Sequence, residues 1–242
     1  MARLRVILDG ARTGALNMQR DSGLLAGHAP GDDTVLRIYR WNPSAISIGY
    51  NQDFSNFDEK AAAAAGLELV RRPTGGRAIL HAQELTYSIV GTSPGPLFGD
   101  SLHSSYELIN RALLQFLESL GIRADISEGE SRQDTRSLVC FKSAGRHEIR
   151  VGGRKLIGSA QRRTGGVFLQ HGSILTGPAH QDLPRYLLPG TPGSEMRPEE
   201  LGAVTTDLAR LQGGAFTEKD LDSAADRLID AFVQVLGLSP YQ

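Results

Sequence analysis

The spacing of apolar positions divides the chain into short strands and a few long amphipathic helices. "LRVILD" (4–9) reads as a strand, and "TGALNMQRDSGLLAG" (13–27) carries Leu16, Arg20 and Leu24 at helical spacing before a closing glycine. "TVLRIYRW" and "SAISIGY" alternate as strands on either side of an Asn42–Pro43 turn. A helix is expected next, with Asn56 as N-cap, Asp58 and Glu59 in its first turn and Ala61 to Ala65 inside it. "LELVRR" and "ELTYSIVG" are strands that flank the loop "RRPTGGRAILH".

The longest helix is predicted over "DSLHSSYELINRALLQFLESLG". There Leu102, Tyr106, Ile109, Leu113, Phe116 and Leu120 form one stripe and Gly121 stops it. From 147 to 175 the pattern changes to a β-meander: "HEIRV", a Gly152–Gly153 turn, "RKLIGSAQRR", a turn at Thr164 to Gly166, then "VFLQHGSIL". Proline-rich connections near 188–198 lead to a last helix that starts at Thr217, with Asp220 three residues on as a capping pair. Leu221, Ala225, Leu228, Phe232 and Leu236 form its apolar stripe.

Hairpins mixed with long helices, without regular βαβ alternation, predict an α+β fold: a mixed central β-sheet flanked by helices. The whole of 1–242 reads as a single domain, with 181–242 as a mostly helical carboxy-terminal layer.

Composition narrows the function classes. The 242 residues are 40% hydrophobic and 22% charged, enough for a sizeable core, and the formal net charge is −1. That balance disfavours a protein that coats nucleic acid or an anionic membrane, so any basic site is local. One cysteine, Cys140, cannot form an intrachain disulfide or a Cys-based zinc cluster. The amino end has too short an apolar run for a signal peptide, and no segment approaches ~20 apolar residues. The expectation is a cytoplasmic protein without a metal site.

Two segments carry candidate chemistry. In the first, Gly75 and Gly76 permit positive φ and close backbone approach, while Arg71, Arg72 and Arg77 offer forked donors to a phosphate or carboxylate. A tight turn with solvated arginines is the competing reading. The spacing matches neither a dinucleotide fingerprint nor a P-loop. In the second, Lys155 sits beside Leu156 and Ile157, with the small residues Gly158, Ser159 and Ala160 leaving room nearby. Here the alternative is an edge-strand lysine snorkelling to water.

Taken together, "ISIGYNQ", "RRPTGGRAILH" with "ELTYSIV", "RKLIGSAQRR" and "LQHGSIL", in this order, resemble the biotin/lipoate protein ligase and transferase superfamily in its lipoate and octanoate branch. The resemblance runs from about residue 13 to the final helix. "VCF" ahead of the lysine segment is similar to the octanoyl-acyl-carrier-protein:protein octanoyltransferases that hold the acyl group on cysteine.

The resemblance implies that the single domain is catalytic and has a tunnel for an eight-carbon acyl tail. Burial of about seven methylenes in it stabilises the complex by ~5–6 kcal/mol at ~0.8 each. It further implies that the glycine loop covers the acyl end and that Lys155, with Gly158 and Ala160, contacts the acyl carbonyl. Arg71, Arg72 and Arg77 would meet anionic parts of the donor. Thr74, Ala78, His81, Ser159, His171 and Gly172 fall in the same blocks as pocket residues. Two positions depart from the family pattern: His147 stands where the subgroup often has tyrosine, and Ala82 where the family often has aspartate.

The same scaffold supports two chemistries. A transferase takes an activated thioester and needs a nucleophile, for which Cys140 is the candidate; otherwise it is a packing residue. A neighbouring ammonium lowers a thiol pKa by about 1–3 units from ~8.5. The expected donor is octanoyl acyl carrier protein, and the expected acceptor is a lysine of a lipoyl-domain protein such as glycine cleavage H protein or a 2-oxoacid dehydrogenase E2. No cofactor is then required. A lipoate–protein ligase would need ATP and magnesium instead, and an amidotransferase between lipoyl domains would use the same cysteine. A non-enzymatic RNA- or phosphate-binding protein lacks support from basic excess or interleaved aromatics.

Overall fold

A computed structural model of the chain describes residues 2–127 and 147–242. Among these, eleven strands and six α-helices form two sheets and their covering layers. The first strand, β1 (Arg3–Arg12), leads into α1 (Gly14–Ala26), capped by the Thr13 hydroxyl, which accepts from the Leu16 N–H. Next come β2 (Thr34–Trp41) and β3 (Ala45–Ile48), then α2 (Glu59–Ala64). Its N-cap is Asp58, accepting from the Ala61 N–H; the expected Asn56 instead closes a 3-10 turn over Phe54–Asn56. Asp58 and Asn56 are both good caps, and the extra 3-10 turn decides between them.

The chain continues through β4 (Glu68–Arg71), β5 (Ile79–His81), β6 (Glu84–Thr92), α3 (Leu102–Ser119) and β7 (Asp125–Ile126). The expected meander follows as β8 (Ile149–Val151), β9 (Arg154–Thr164) and β10 (Val167–Leu175). A 3-10 segment (Pro178–Tyr186), α4 (Pro198–Val204), α5 (Leu208–Gln212), α6 (Glu218–Leu236) and β11 (Ser239–Tyr241) complete it. Helix α6 starts on the expected capping box between Thr217 and Asp220 and ends on Gly237 at φ 64°.

The large sheet has the order β11-β1-β2-β6-β10-β9-β8-β7, parallel at β11-β1-β2 and antiparallel beyond. A smaller sheet, β4-β3-β5, pairs β3 parallel to β4 and antiparallel to β5. This is the mixed α+β architecture that the patterning predicts.

Side chains along a strand alternate between faces, so the register sorts the central residues of the large sheet into two sets. Leu36, Ile89 and Phe168 lie in the main core with Ile109, Leu113 and Phe116 of α3 and Leu228 and Phe232 of α6. Val35, Val90 and Leu169 form a row on the other face and pack on Leu25 of α1. Two residues further along, that second face changes character. Its next row is Arg37, Ser88 and His171, followed by Tyr39, Thr86 and Ser173. An apolar row anchors α1, and the polar rows beside it form the floor of a cavity.

Candidate functional site

The cavity, of about 240 Å³, lies between that polar floor and the small sheet with its glycine loop. Tyr39, Trp41 and Thr86 contribute from the floor, Met18 from α1, and Ser47, Ile79 and His81 from the small sheet. Of the residues expected from the sequence, Arg72, Gly76, Arg77 and His81 line it from the loop side, and Gly158, Ser159, Ala160, His171 and Gly172 line it from β9 and β10. Two blocks almost a hundred positions apart in sequence thus share one space.

Two histidine relays hold the walls together. His81 Nδ1 lies 2.8 Å from Glu84 Oε1 and its Nε2 2.6 Å from Ser47 Oγ, while its ring stacks on Trp41 with centroids 3.9 Å apart. The Trp41 indole N–H donates to Thr86 Oγ1, and the Thr86 hydroxyl donates to Glu84. Ser173 donates to the other Glu84 oxygen. Burial alone would raise the Glu84 carboxyl, but His81, Ser173 and Thr86 outweigh it and hold the group below its ordinary value. The relay ties β3 and β5 of the small sheet to β6 of the large one.

The second relay runs through His171, whose Nδ1 is 3.0 Å from Asp21 Oδ2 and whose Nε2 is 2.6 Å from Thr74 Oγ1. Asp21 is fully buried on α1, where Arg37 Nη1, Tyr39 Oη and Ser88 Oγ also donate to it at 2.7–2.9 Å. Burial raises the Asp21 carboxyl, yet His171 and Arg37 reverse this and keep it low. Burial lowers His171, and the contact with Asp21 only partly opposes that. Arg37 also donates to Asp9 (2.8 Å) and to Asn17 Oδ1 (2.6 Å), so the buried cation is fully surrounded by acceptors.

The periodicity of α1 did not reveal this network. Leu16 and Leu24 are only half-buried and Arg20 is exposed; the face turned inward is Gly14, Asn17, Met18, Asp21 and Leu25. A helix that buries asparagine and aspartate leaves no apolar stripe to read. Asp21, Arg37, Glu84, Ser47 and Glu148 therefore enter from the structure alone.

The three arginines of the loop have different surroundings. Arg72 is buried and donates to the carbonyls of Ser47, Gly75 and Arg77 and to Thr74 Oγ1, bracing the loop from inside. Arg71 is exposed, donates to the carbonyls of Gly49, Tyr50 and Gln52, and lies 4.7 Å over the Phe54 ring. It fastens the neighbouring 49–52 turn and does not line the cavity. Arg77 is half-buried and lines it. Of the glycine pair, Gly76 takes positive φ (91°), and Gly75 does not. The close backbone approach is made to Gly49, where a Cβ would overlap the Gly76 carbonyl. Thr74 and Ala78 are buried, the latter in the core.

Lys155 is buried on β9, as its apolar neighbours suggest, but its ammonium ends on Glu148 Oε1 and it does not itself line the cavity. Glu148 does. Cys140 lies outside the described residues. His147, at φ 73°, stacks on Tyr106 with ring centroids 5.0 Å apart, and its carbonyl accepts from Asn110. Among the described residues no group of three or more His, Cys, Asp or Glu is placed to hold a metal ion. No helix among them is long and apolar enough to cross a membrane.

A cavity walled by a glycine-arginine loop on one side and a K-x-x-G-x-A strand on the other, on a mixed sheet of this order, defines a family. Residues 13–233 match the model of the lipoyl protein ligase A/B catalytic domain, and the chain belongs to that family. Its similar relatives are more specific. It is 42% identical over 175 residues to octanoyltransferase LipM of Moorella thermoacetica, and 41% identical over 181 residues to octanoyltransferase LipM of Bacillus subtilis. Each match covers 71% of this chain and 64% of the relative, so the chain spans just under two thirds of the length of these relatives. Among solved structures, lipoate-protein ligase A bound with ATP superposes with a TM-score of 0.77 at 22% identity, covering 100% of this chain and 88% of that one. A bipartite lipoate protein ligase from Thermoplasma acidophilum gives 0.79 at 20% identity, with 100% and 87% coverage. At such identities the likeness establishes the fold alone.

Proposed function

We propose that the protein transfers an octanoyl group from a thioester of acyl carrier protein to a lysine of a lipoyl-domain protein, with Cys140 holding the acyl group between the two partners. The observation that carries this reading is the cavity between the glycine loop and β9–β10. Met18, Tyr39, Trp41, Ile79 and Ala160 give it an apolar lining suited to a short acyl chain, in a chain 41–42% identical to octanoyltransferases.

The loop arginines support a thioester donor over an acyl-adenylate. Arg71 and Arg72 donate to backbone carbonyls, and of these two only Arg72 lines the cavity, together with Arg77. A thioester carbonyl develops one oxyanion during transfer, whereas a nucleotide brings several phosphate charges to be balanced.

Release of the acyl chain from water drives binding, and the donor brings its own activation: its thioester is exchanged for another at Cys140, which then yields the more stable amide at the acceptor lysine. No nucleotide is consumed. The test is transfer to a purified lipoyl domain under two conditions. Octanoyl acyl carrier protein without ATP should yield octanoylated domain, and free octanoate with ATP and magnesium should yield little. The reverse outcome would make the protein a ligase.

A further inference from the structure

The reaction proposed above ends with a lysine amine attacking a carbonyl, and the acceptor lysine arrives as an ammonium. With an ordinary lysine pKa near 10.4, only roughly one molecule in 2,500 is neutral at pH 7. An enzyme for this step therefore needs a group that attracts the cation and removes its proton.

Glu148 is the carboxylate among the described residues that line the cavity. It is 8% exposed, and its Oε1 accepts from the Lys155 ammonium. Its Oε2 is buried and has no hydrogen-bond partner among the described residues. An ionised carboxylate has acceptor sites for about four donors, and buried polar atoms almost always fill theirs. Glu84, the other carboxylate close to the cavity, differs: both its oxygens are occupied, by His81, Thr86 and Ser173. Asp21 is likewise surrounded by donors.

Among the described residues lining the cavity, the other charged and titratable side chains are cations or bases apart from the Tyr39 phenol. Lys155 on β9 touches Glu148, and Arg72, Arg77, His81 and His171 line the same cavity from the loop, β5 and β10. Glu148 is the one carboxylate that an incoming ammonium meets among the described lining residues.

We propose that Glu148 is a catalytic residue for the second half of the transfer, docking the ε-ammonium of the acceptor lysine and taking one proton from it. This rests on the octanoyl-transfer reading. The freed nitrogen lone pair attacks the acyl thioester carbon, a C–N bond forms and the C–S bond breaks. Of the two protons lost by the ammonium on the way to the amide, one resides on Glu148 and the other on the departing sulfur. Lys155, in contact with Oε1, orients the Glu148 carboxylate.

The experiment compares wild type with Glu148→Gln, which keeps the shape and loses the base. Octanoylation of a lipoyl domain is followed between pH 6.5 and 9.5, and formation of the acyl-protein without acceptor is followed by intact mass. Amide formation at pH 7 should fall about 10²-fold or more in the variant. Its rate should then climb by about tenfold per pH unit as the free amine fraction grows, while wild type stays flatter. Hydroxylamine, a nucleophile already neutral near pH 7, should release octanoyl hydroxamate from both proteins at rates within about threefold, because no proton needs removal before attack.

Glu148→Asp, one methylene shorter, should recover part of the loss, and melting curves of all three proteins identify any variant that fails to fold. Equal loss toward lysine and hydroxylamine would reduce Glu148 to a structural partner of Lys155 and overturn the proposal. So would a Gln variant that modifies the domain at the wild-type rate with an unchanged pH profile. Absence of transfer by wild type itself would instead overturn the underlying reading.

Discussion

At the scale of single residues, the buried charges decide how the site responds to acid. His171 has a folded-state value below its ordinary 6.5 because it is buried, and Asp21 is held below 3.8. For a group whose folded pKa is depressed, the unfolded chain binds the proton first as pH falls. Its contribution is then complete above the unfolded value and is lost as pH falls through the folded one. His171 therefore makes the protein less stable below about pH 6.5, and Asp21 extends the loss below 3.8.

Urea unfolding at pH 8 and pH 5.5 should show this slope in wild type. His171→Gln should be less stable at pH 8, since Asp21 and Thr74 lose their partner, yet lose less on going to pH 5.5. Some slope remains in it, because burial also lowers His180. Parallel pH dependence in the two proteins would remove His171 as the source. Little of this was legible beforehand. His171 stands out in the sequence as a histidine inside a conspicuous strand, but its partner Asp21 lies 150 positions away on a helix whose pattern gives no hint of it.

At the scale of elements, the glycine loop shows where sequence reading succeeds and where it stops. Its turn chemistry and flanking strands are legible in the residues, and its proximity to β9 and β10 is what the family resemblance implies. The division of labour among its arginines does not, since Arg71 and Arg72 are adjacent and chemically identical. Strand alternation turns one inward and the other outward at the end of β4.

This difference gives a sharp expectation. Arg72→Lys, which cannot reproduce the forked donation, leaves carbonyls of Ser47, Gly75 and Arg77 without donors. It should cost at least about 2 kcal/mol, at ~1–3 for each buried acceptor left unpaired, and lower activity by loosening the loop. Arg71→Lys, at an exposed position, should cost less than about 1 kcal/mol. Equal effects in thermal unfolding would refute the assignment of distinct roles. The small sheet is a similar case: β5 is a three-residue strand inside a motif, too short for alternation to reveal, and its partner β3, expected as the strand after the Asn42–Pro43 turn, pairs in a separate sheet from β2.

At the scale of the whole molecule, the pattern of hairpins and long helices was sufficient for the fold class because the meander turns and the α3 and α6 stripes are strong local signals. Those helices meet the face of the large sheet that carries Leu36, Ile89 and Phe168. The opposite face was harder to foresee. Its rows change from Val35–Val90–Leu169 to Arg37–Ser88–His171 within two residues, a switch that only the register exposes. The site is built where the apolar row ends, which lets one sheet anchor a helix and floor a cavity.

In the proposed function this cavity receives an octanoyl chain delivered as a thioester, and Cys140 takes it over. The most direct test is the intact mass of the protein after incubation with octanoyl acyl carrier protein, without nucleotide and without acceptor. Wild type should gain one octanoyl group, removable by hydroxylamine, and Cys140→Ala should gain none. An unmodified wild type, or a Cys140→Ala variant that still octanoylates a lipoyl domain at full rate, would contradict the claim.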